Sequence, residues 1–359
     1  SMSLDLDMYR STGETMEKPK SPRINSWCGW DPLEEVWVGR HHDASYFDTI
    51  KSKQVKDPLK RIADETEEDY QSLIKILKDY GVKQISRPKF EATSRFGDGE
   101  PTHATNPRDY HFVYGNTLYR FEDLPCYDAL YQSYMEAGEF VYDPYNTNLF
   151  DKPISDGLEA AQCVRFGDAI LVDRLDFKYM KWFRENLKDT KIIVSGLGGH
   201  SDGVFCPVRP GLIVTTYDYK EHFADTIFKD WEIVCTDNNS WEQTKNITGK
   251  ISKMLEKTNN RWYVEGEEDN NELIEFTNTY LNKWVGYCAE SVFDVNMLVL
   301  DKHNVIVNSY NEKIFDAFKR HKIEPIICKL RHRWFWDGGL HCNTVDIRRR
   351  GKKERYLNY

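Results

Sequence analysis

From residue 109 onward the apolar positions fall into one recurring arrangement: two short apolar runs around a tight turn, an amphipathic stretch, and a closing apolar run. Runs at 111–114 and 117–121 flank the turn Gly115-Asn116, and the pattern predicts a helix over 127–137 and a strand over 139–142. The arrangement returns with strands at 163–165 and 169–173 around Gly167-Asp168, a helix over 177–187 and a strand over 191–194. It returns again from Gly203, with strands to 208 and over 212–216 around Arg209-Pro210-Gly211, a helical stretch over 221–228 and a strand over 232–235. A last full copy has strands at 295–300 and 305–308 around Lys302-His303-Asn304, a helix over 314–320 and a strand over 325–330.

The opening segment reads similarly. A strand over 34–40 follows the turn at Asp31-Pro32. A helix is predicted over 64–80, where Tyr70, Leu73, Ile74 and Leu77 make one apolar stripe; Gly81 stops it before a strand over 82–85. Residues 90–105 lack periodicity and read as a loop. The count is therefore about five ββαβ units, and repeated units of this size suggest radial or stacked assembly in which each sheet is buried between neighbours. The long polar stretch 238–283, with helical pieces at 247–255 and 271–284, interrupts the repeat and reads as an insertion for which a position over the site is open. Residues 1–25 are polar and read as a disordered tail, which leaves 26–359 as a single domain.

Composition narrows the class. The chain has 359 residues, 40% hydrophobic and 30% charged, as a soluble globular protein does; its net charge of −9 argues against nucleic acid as a partner. Arg348, Arg349 and Arg350 form the one tight basic cluster, read as solvated or carboxylate-paired. No apolar run reaches membrane-spanning length, so no membrane partner is expected, and the N-terminal stretch lacks the features of a signal or transit peptide. Eight scattered cysteines (Cys28, Cys126, Cys163, Cys206, Cys235, Cys288, Cys328, Cys342) form no C-x-x-C pair, so free thiols in a reducing, cytoplasmic setting are expected.

Two Gly-rich stretches carry candidate chemistry. In G-G-L-H-C-N-T, 338–344, paired glycines allow a tight turn that presents Cys342; the plain alternative is a small buried hydrophobe. In G-G-H-S-D-G-V-F, 198–205, His200 and Asp202 are two apart, on one side of a strand. In a ring, equivalent strand ends meet at the axis, and those ends carry Asp109, Gln162, Asp202 and Asp294; the plain alternative is that they cap turns.

Taken with W-D-P-L-E-E-V-W-V-G-R (30–40), P-R-D (107–109), E-A-A-Q (159–162), N-M-L-V-L-D (296–301) and G-G-L-H-C-N-T-V-D-I-R-R-R-G (338–351), the chain resembles the glycine amidinotransferase family of the guanidino-group-modifying enzymes, along almost its whole length. The resemblance implies a five-bladed α/β propeller of ββαβ units with pseudo-fivefold symmetry. It implies Cys342 as nucleophile, His200 as acid/base, and Asp109 and Asp202 as the carboxylates that grip a guanidinium, with no metal or organic cofactor. The implied reaction moves the amidino group of L-arginine to a primary amine, glycine or a diamine, through a covalent amidino-cysteine, releasing ornithine. Water in place of the amine would make a hydrolase of the deiminase type.

The chain departs from the family pattern at two places. Gln162 stands where the family has an aspartate that orients the histidine, which leaves a catalytically silent guanidine-binding protein as a further alternative. Tyr219, with Lys220 beside it, and Ala289-Glu290 stand where arginine-using relatives clamp the α-carboxylate; Glu290 would repel a carboxylate and favour an ammonium. Arg333-Trp334-Phe335-Trp336 reads as a wall or lid of the pocket or as core. Small-molecule substrates are the expected partners, and the sequence is compatible with a homo-oligomer.

Overall fold

A computed structural model of the chain describes residues 23–99, 103–121, 124–142, 160–173, 183–195, 200–216, 227–236, 249–286 and 294–359. The tail 1–22, most of the stretches expected to be helical at 177–187 and 221–228, and the residues Glu159, Tyr219, Lys220, Cys288, Ala289 and Glu290 lie outside the described residues.

Strand β1 (Leu33–Val38) is followed by helix α1 (Lys53–Asp79) and β2 (Gln84–Ser86). The helix starts eleven residues before the expected position, because its buried stripe already begins at Val55 and runs through Leu59 and Ile62 to Tyr70, Leu73 and Leu77. Then come β3 (His111–Tyr114), β4 (Thr117–Arg120), α2 (Asp128–Glu136) and β5 (Phe140–Tyr142). The next strands are β6 (Cys163–Phe166), β7 (Ala169–Asp173), β8 (Lys191–Ser195), β9 (Phe205–Arg209), β10 (Leu212–Thr215) and β11 (Glu232–Cys235). Helices α3 (Gly249–Lys257) and α4 (Asn271–Tyr280) lie in the interrupting stretch. Strands β12 (Leu298–Asp301) and β13 (Asn304–Val307), helix α5 (Glu312–Arg320) and β14 (Glu324–Ile327) follow; the short helix α6 (Arg333–Trp336) and β15 (Thr344–Arg349) close the chain.

Among the described residues these strands form five three-stranded sheets of a mixed α/β fold. Four are sequential, and each has an antiparallel pair followed by a parallel third strand, as in β9-β10-β11. The pairs close through two-residue turns at Gly115 and Gly167, whose φ of 63° and 71° suits glycine. The remaining sheet is not built from the opening segment alone: its order is β15-β1-β2, with Val36 opposite Asp346 and Val38 opposite Thr344. The last strand of the chain supplies the first strand of that sheet. Residues 23–26 are also part of the fold. Asn25 N–H donates to the Ile347 carbonyl and Ser26 exchanges backbone hydrogen bonds with Gly115.

Side chains alternate faces along a strand, so a sheet covered on both faces can feed two cores. Val113 and Leu118 pack with Trp37, Val345 and Ile347 of the sheet before, whereas Phe112, Tyr114 and Tyr119 pack with Ile170 and Val172 of the sheet after. Leu171 faces a core with Phe205, Val214, Val299 and Val305. Leu298, Leu300 and Ile306 turn back to Val36, Val38 and the α1 residues Leu73 and Leu77. Successive sheets thus share cores, and the last shares one with the first. Helices α3 and α4 build a separate core with the N-terminal half of α1, and Phe335 and Trp336 belong to that core.

Candidate active site

The polar residues of interest sit in short turns just before the first strand of each sheet. Asp109 ends a single 3₁₀ turn (Pro107–Asp109) before β3, Gln162 ends another (Ala160–Gln162) before β6, and Asp202 lies in a third (Ser201–Gly203) before β9. Because β15 begins the first sheet, Cys342 stands in that sheet where Asp109 stands in the next, two residues before the strand. Asn296 holds the same place before β12. Asp294, the residue expected from the sequence at that end, instead accepts hydrogen bonds from Ser309 Oγ (2.9 Å) and Asn311 Nδ2 (3.0 Å).

These turns meet at the Cys342 sulfur, in a residue 6% exposed. The thiol donates to Asp202 Oδ2 at 3.2 Å, and Asn296 Nδ2 donates to the sulfur at 2.8 Å. Asp202 Oδ2 also pairs with His341 Nδ1 at 2.9 Å. The other oxygen, Asp202 Oδ1, is buried and has no hydrogen-bond partner among the described residues. A buried carboxylate oxygen without a donor is costly unless a cation or donor meets it. His200, one-third exposed, places Nδ1 3.5 Å from Asp109 Oδ1. The Gln162 carbonyl accepts from Ser201 Oγ at 3.2 Å, which joins its turn to the one holding Asp202. Glu290, expected near the far end of a substrate, lies outside the described residues.

The scaffold behind the turns is ionic. Asp346 on β15 receives Arg108 Nη1 at 2.8 Å, Arg165 Nη2 at 2.6 Å and Arg349 Nε at 2.5 Å. Arg108 precedes Asp109, and its backbone N–H donates to the Cys342 carbonyl at 3.3 Å, so the same residue fixes both turns. Asn106 reaches across to α6 and the Gly338 loop: Nδ2 donates to the Trp336 carbonyl at 2.8 Å, and Oδ1 accepts from Asn343 Nδ2 at 2.8 Å. A Cβ on Gly338 would lie 2.0 Å from that Oδ1, so the first glycine of the pair is required by close approach.

Charge is distributed unevenly. Burial, then the carboxylates of Asp202 and Asp109, push the Cys342 thiol well above its ordinary value; the Asn296 hydrogen bond works the other way. Burial also pushes Cys28, Cys126, Cys206 and Cys328 up to about 12. What sets Cys342 apart is thus its neighbours rather than an acidic thiol. Burial and Arg108 hold His341 below its usual value. Burial opposes the charge of Asp202, but the hydrogen bonds and charges around it, His341 foremost, keep its carboxyl below the usual range. The site is therefore anionic and ready for a cation, and a cation seated between two carboxylates would favour thiolate over thiol.

Asn296 escaped the reading of the sequence because a strand expected from 295 places that residue inside it, whereas the strand begins at Leu298. Its position two residues before a first strand, shared with Asp109 and Cys342, is the signal that points to it. Among the described residues no group of three or more His, Cys, Asp or Glu side chains is arranged to hold a metal ion, and no helix is long and apolar enough to cross a membrane.

No protein-family model matches the chain. An L-arginine:L-lysine amidinotransferase of Pseudomonas savastanoi pv. phaseolicola is 23% identical, aligned over 93% of this chain and 96% of its own length. The mitochondrial glycine amidinotransferase of Xenopus laevis is 24% identical over 93% of this chain and 85% of its own. Among solved structures, an amidinotransferase of the saxitoxin biosynthetic pathway from Microseira wollei superposes with a TM-score of 0.63 at 21% identity, covering 93% of this chain and 99% of that one.

Proposed function

We propose that this chain, an enzyme belonging to the amidinotransferase family, moves the amidino group of L-arginine to a primary amine through a covalent amidino-cysteine at Cys342, and that its five sheets are the blades of a propeller with the site at their shared axis. The observation that carries this reading is the pairing of the Cys342 thiol with Asp202 Oδ2 at 3.2 Å while the buried Oδ1 has no donor among the described residues. A guanidinium offers N–H donors in a planar fork that suits two facing carboxylates. Held between Asp109 and Asp202 it supplies a donor to Oδ1. Its charge offsets the two carboxylates that keep the thiol protonated.

The thiol gives up its proton, which passes to His200, and the sulfur lone pair forms a bond to the guanidinium carbon. The C–N bond to the ornithine nitrogen breaks, and that nitrogen takes a proton from His200. In the second half an amine attacks the same carbon, its proton passes to His200, and the C–S electrons return to sulfur. Asp109 pairs with His200 at 3.5 Å, so in this reading a carboxylate supports the imidazolium although Gln162 replaces the family's aspartate. Incubation with labelled arginine tests the reading. Ornithine formed only when an amine is present supports transfer; citrulline with ammonia, or ornithine with urea, means hydrolysis; binding without turnover means a silent protein.

Replacing Asp202 is expected to move two readouts in opposite directions. Asp109→Asn and Asp202→Asn are each expected to lower kcat/KM for arginine by about 10- to 100-fold, the loss of one charge-assisted hydrogen bond. Yet Asp202→Asn, by removing the negative charge beside the sulfur, is expected to speed iodoacetamide alkylation of Cys342 in the substrate-free enzyme. A carboxylate whose replacement leaves kcat/KM within twofold is a turn cap.

For the acceptor, Glu290 favours a second ammonium over a carboxylate. Diamines such as putrescine are expected to exceed glycine in kcat/KM, and Glu290→Ser to move preference back toward amino acids. A tenfold advantage for glycine in the wild type would make the substitutions at Tyr219 and Glu290 neutral.

A further inference from the structure

Asn296 is 2% exposed and is held from three sides. Its Oδ1 accepts the backbone N–H groups of His341 at 2.8 Å and of Cys342 at 3.1 Å. Those two donors decide which end of the amide is oxygen, so Nδ2 must face the sulfur, 2.8 Å away. Its own carbonyl accepts from Asn308 Nδ2 at 2.7 Å. The second glycine of the loop makes room, since a Cβ on Gly339 would come within 2.9 Å of the Asn296 side chain. The donor is therefore fixed before any substrate arrives. Around the same sulfur, Asp202 and Asp109 oppose negative charge, and Asn296 favours it.

We propose that Asn296 is a catalytic residue, whose Nδ2–H stabilises the Cys342 sulfur as a thiolate before the attack and again as the leaving group when the amidino-cysteine is resolved. The inference rests on Cys342 being the nucleophile. In each half-reaction the sulfur is anionic at one end and bonded to carbon at the other. In the first, the S⁻ lone pair becomes the S–C bond and the C–N pair leaves with the departing nitrogen, which His200 protonates; in the second, the acceptor nitrogen's lone pair becomes the N–C bond and the S–C pair returns to sulfur. The bond from Nδ2–H is strong to S⁻ and weak to the alkylated sulfur, so it makes the sulfur a better leaving group and limits the barrier for resolving the intermediate. A neutral donor suits this place better than a cation, because Asp202 and Asp109 must stay free to take the guanidinium.

The test is the pH dependence of Cys342 alkylation by iodoacetamide in the full-length protein, followed by peptide mass spectrometry, for wild type, Asn296→Asp and Asn296→Ala. Asn296→Asp retains an acceptor for the two backbone N–H groups and loses the donor to sulfur. We expect its alkylation at pH 8 to fall about 10- to 100-fold, with the profile displaced to higher pH, and Asn296→Ala to move the same way. Both half-reactions should slow while KM for arginine changes little. A wild-type profile in folded Asn296→Asp overturns the proposal. Should neither variant fold, the wild type decides: the Asn296 side-chain amide protons move downfield as pH rises through the alkylation midpoint and stay put in Cys342→Ala, and equal behaviour in both proteins overturns it. Turnover that survives Cys342→Ala would instead remove the reading on which this rests, so the two failures are told apart.

Discussion

Cys342→Ser is expected to fold, to bind guanidino compounds and to lose turnover by about 10⁴- to 10⁶-fold, the scale seen when the nucleophile of a covalent mechanism is removed. The serine hydroxyl occupies the same turn and can donate to Asp202 as the thiol does, so the Asn296 and His341 contacts that shape the loop survive. What is lost is a sulfur that can become an anion beside a bound cation; a hydroxyl is far harder to ionise in a buried site flanked by two carboxylates. Steady-state rates and a binding titration with arginine check this. A fully active serine variant, or an adduct on Cys163 or Cys206 in the wild type, would end the covalent mechanism at Cys342.

Asp346→Asn is expected to cost about 3–5 kcal/mol of stability, since it leaves three buried guanidinium groups sharing an uncharged partner. That is a large share of a typical total of about 5–15 kcal/mol. The melting temperature should fall by on the order of 5–10 °C. Burial alone would raise the Asp346 carboxyl, but Arg165, Arg108 and Arg349 hold it well below the usual range. A carboxyl lowered by folding contributes stability that is complete above its unfolded value, about 4, and is lost as pH falls from there toward the folded value. Wild type should therefore lose stability below about pH 4 more steeply than Asp346→Asn. Thermal melts of both proteins from neutral pH to about pH 3 measure the difference. Equal melting temperatures at neutral pH would show that the three arginines do not need the carboxylate. Because Arg108 also ties its turn to the Cys342 carbonyl, the variant should lose activity at temperatures where it is still folded.

The strands were legible because each sheet is buried on both faces. Runs such as 169–173 are apolar at nearly every position and end at Gly, Asp or Asn, so their bounds follow from local chemistry. The pairing of β15 with β1 was not legible. It joins residues more than 300 positions apart through backbone hydrogen bonds, which leave no mark on the composition of either strand. The early start of α1 was missed because the stripe from Val55 to Ile62 is interleaved with charged residues and Pro58. At the site, resemblance and loop chemistry pointed to Cys342, His200, Asp109 and Asp202. The neighbours that tune them depend on where separate turns meet: Asn296 against the sulfur, His341 against Asp202, and Asp109 against His200. An apolar run beginning at Val295 puts Asp294 at the strand end; the strand itself begins at Leu298, which puts Asn296 at the equivalent place.

In the proposed mechanism Cys342 carries the amidino group between donor and acceptor. The most direct measurement mixes enzyme with arginine alone, quenches in acid, and identifies the modified residue by intact and peptide mass spectrometry, before and after adding putrescine. The expected result is a single amidino group on Cys342, formed with one equivalent of ornithine and discharged by the amine as amidino-putrescine. Ornithine release with no modified cysteine, or an adduct that the amine does not discharge, would contradict it.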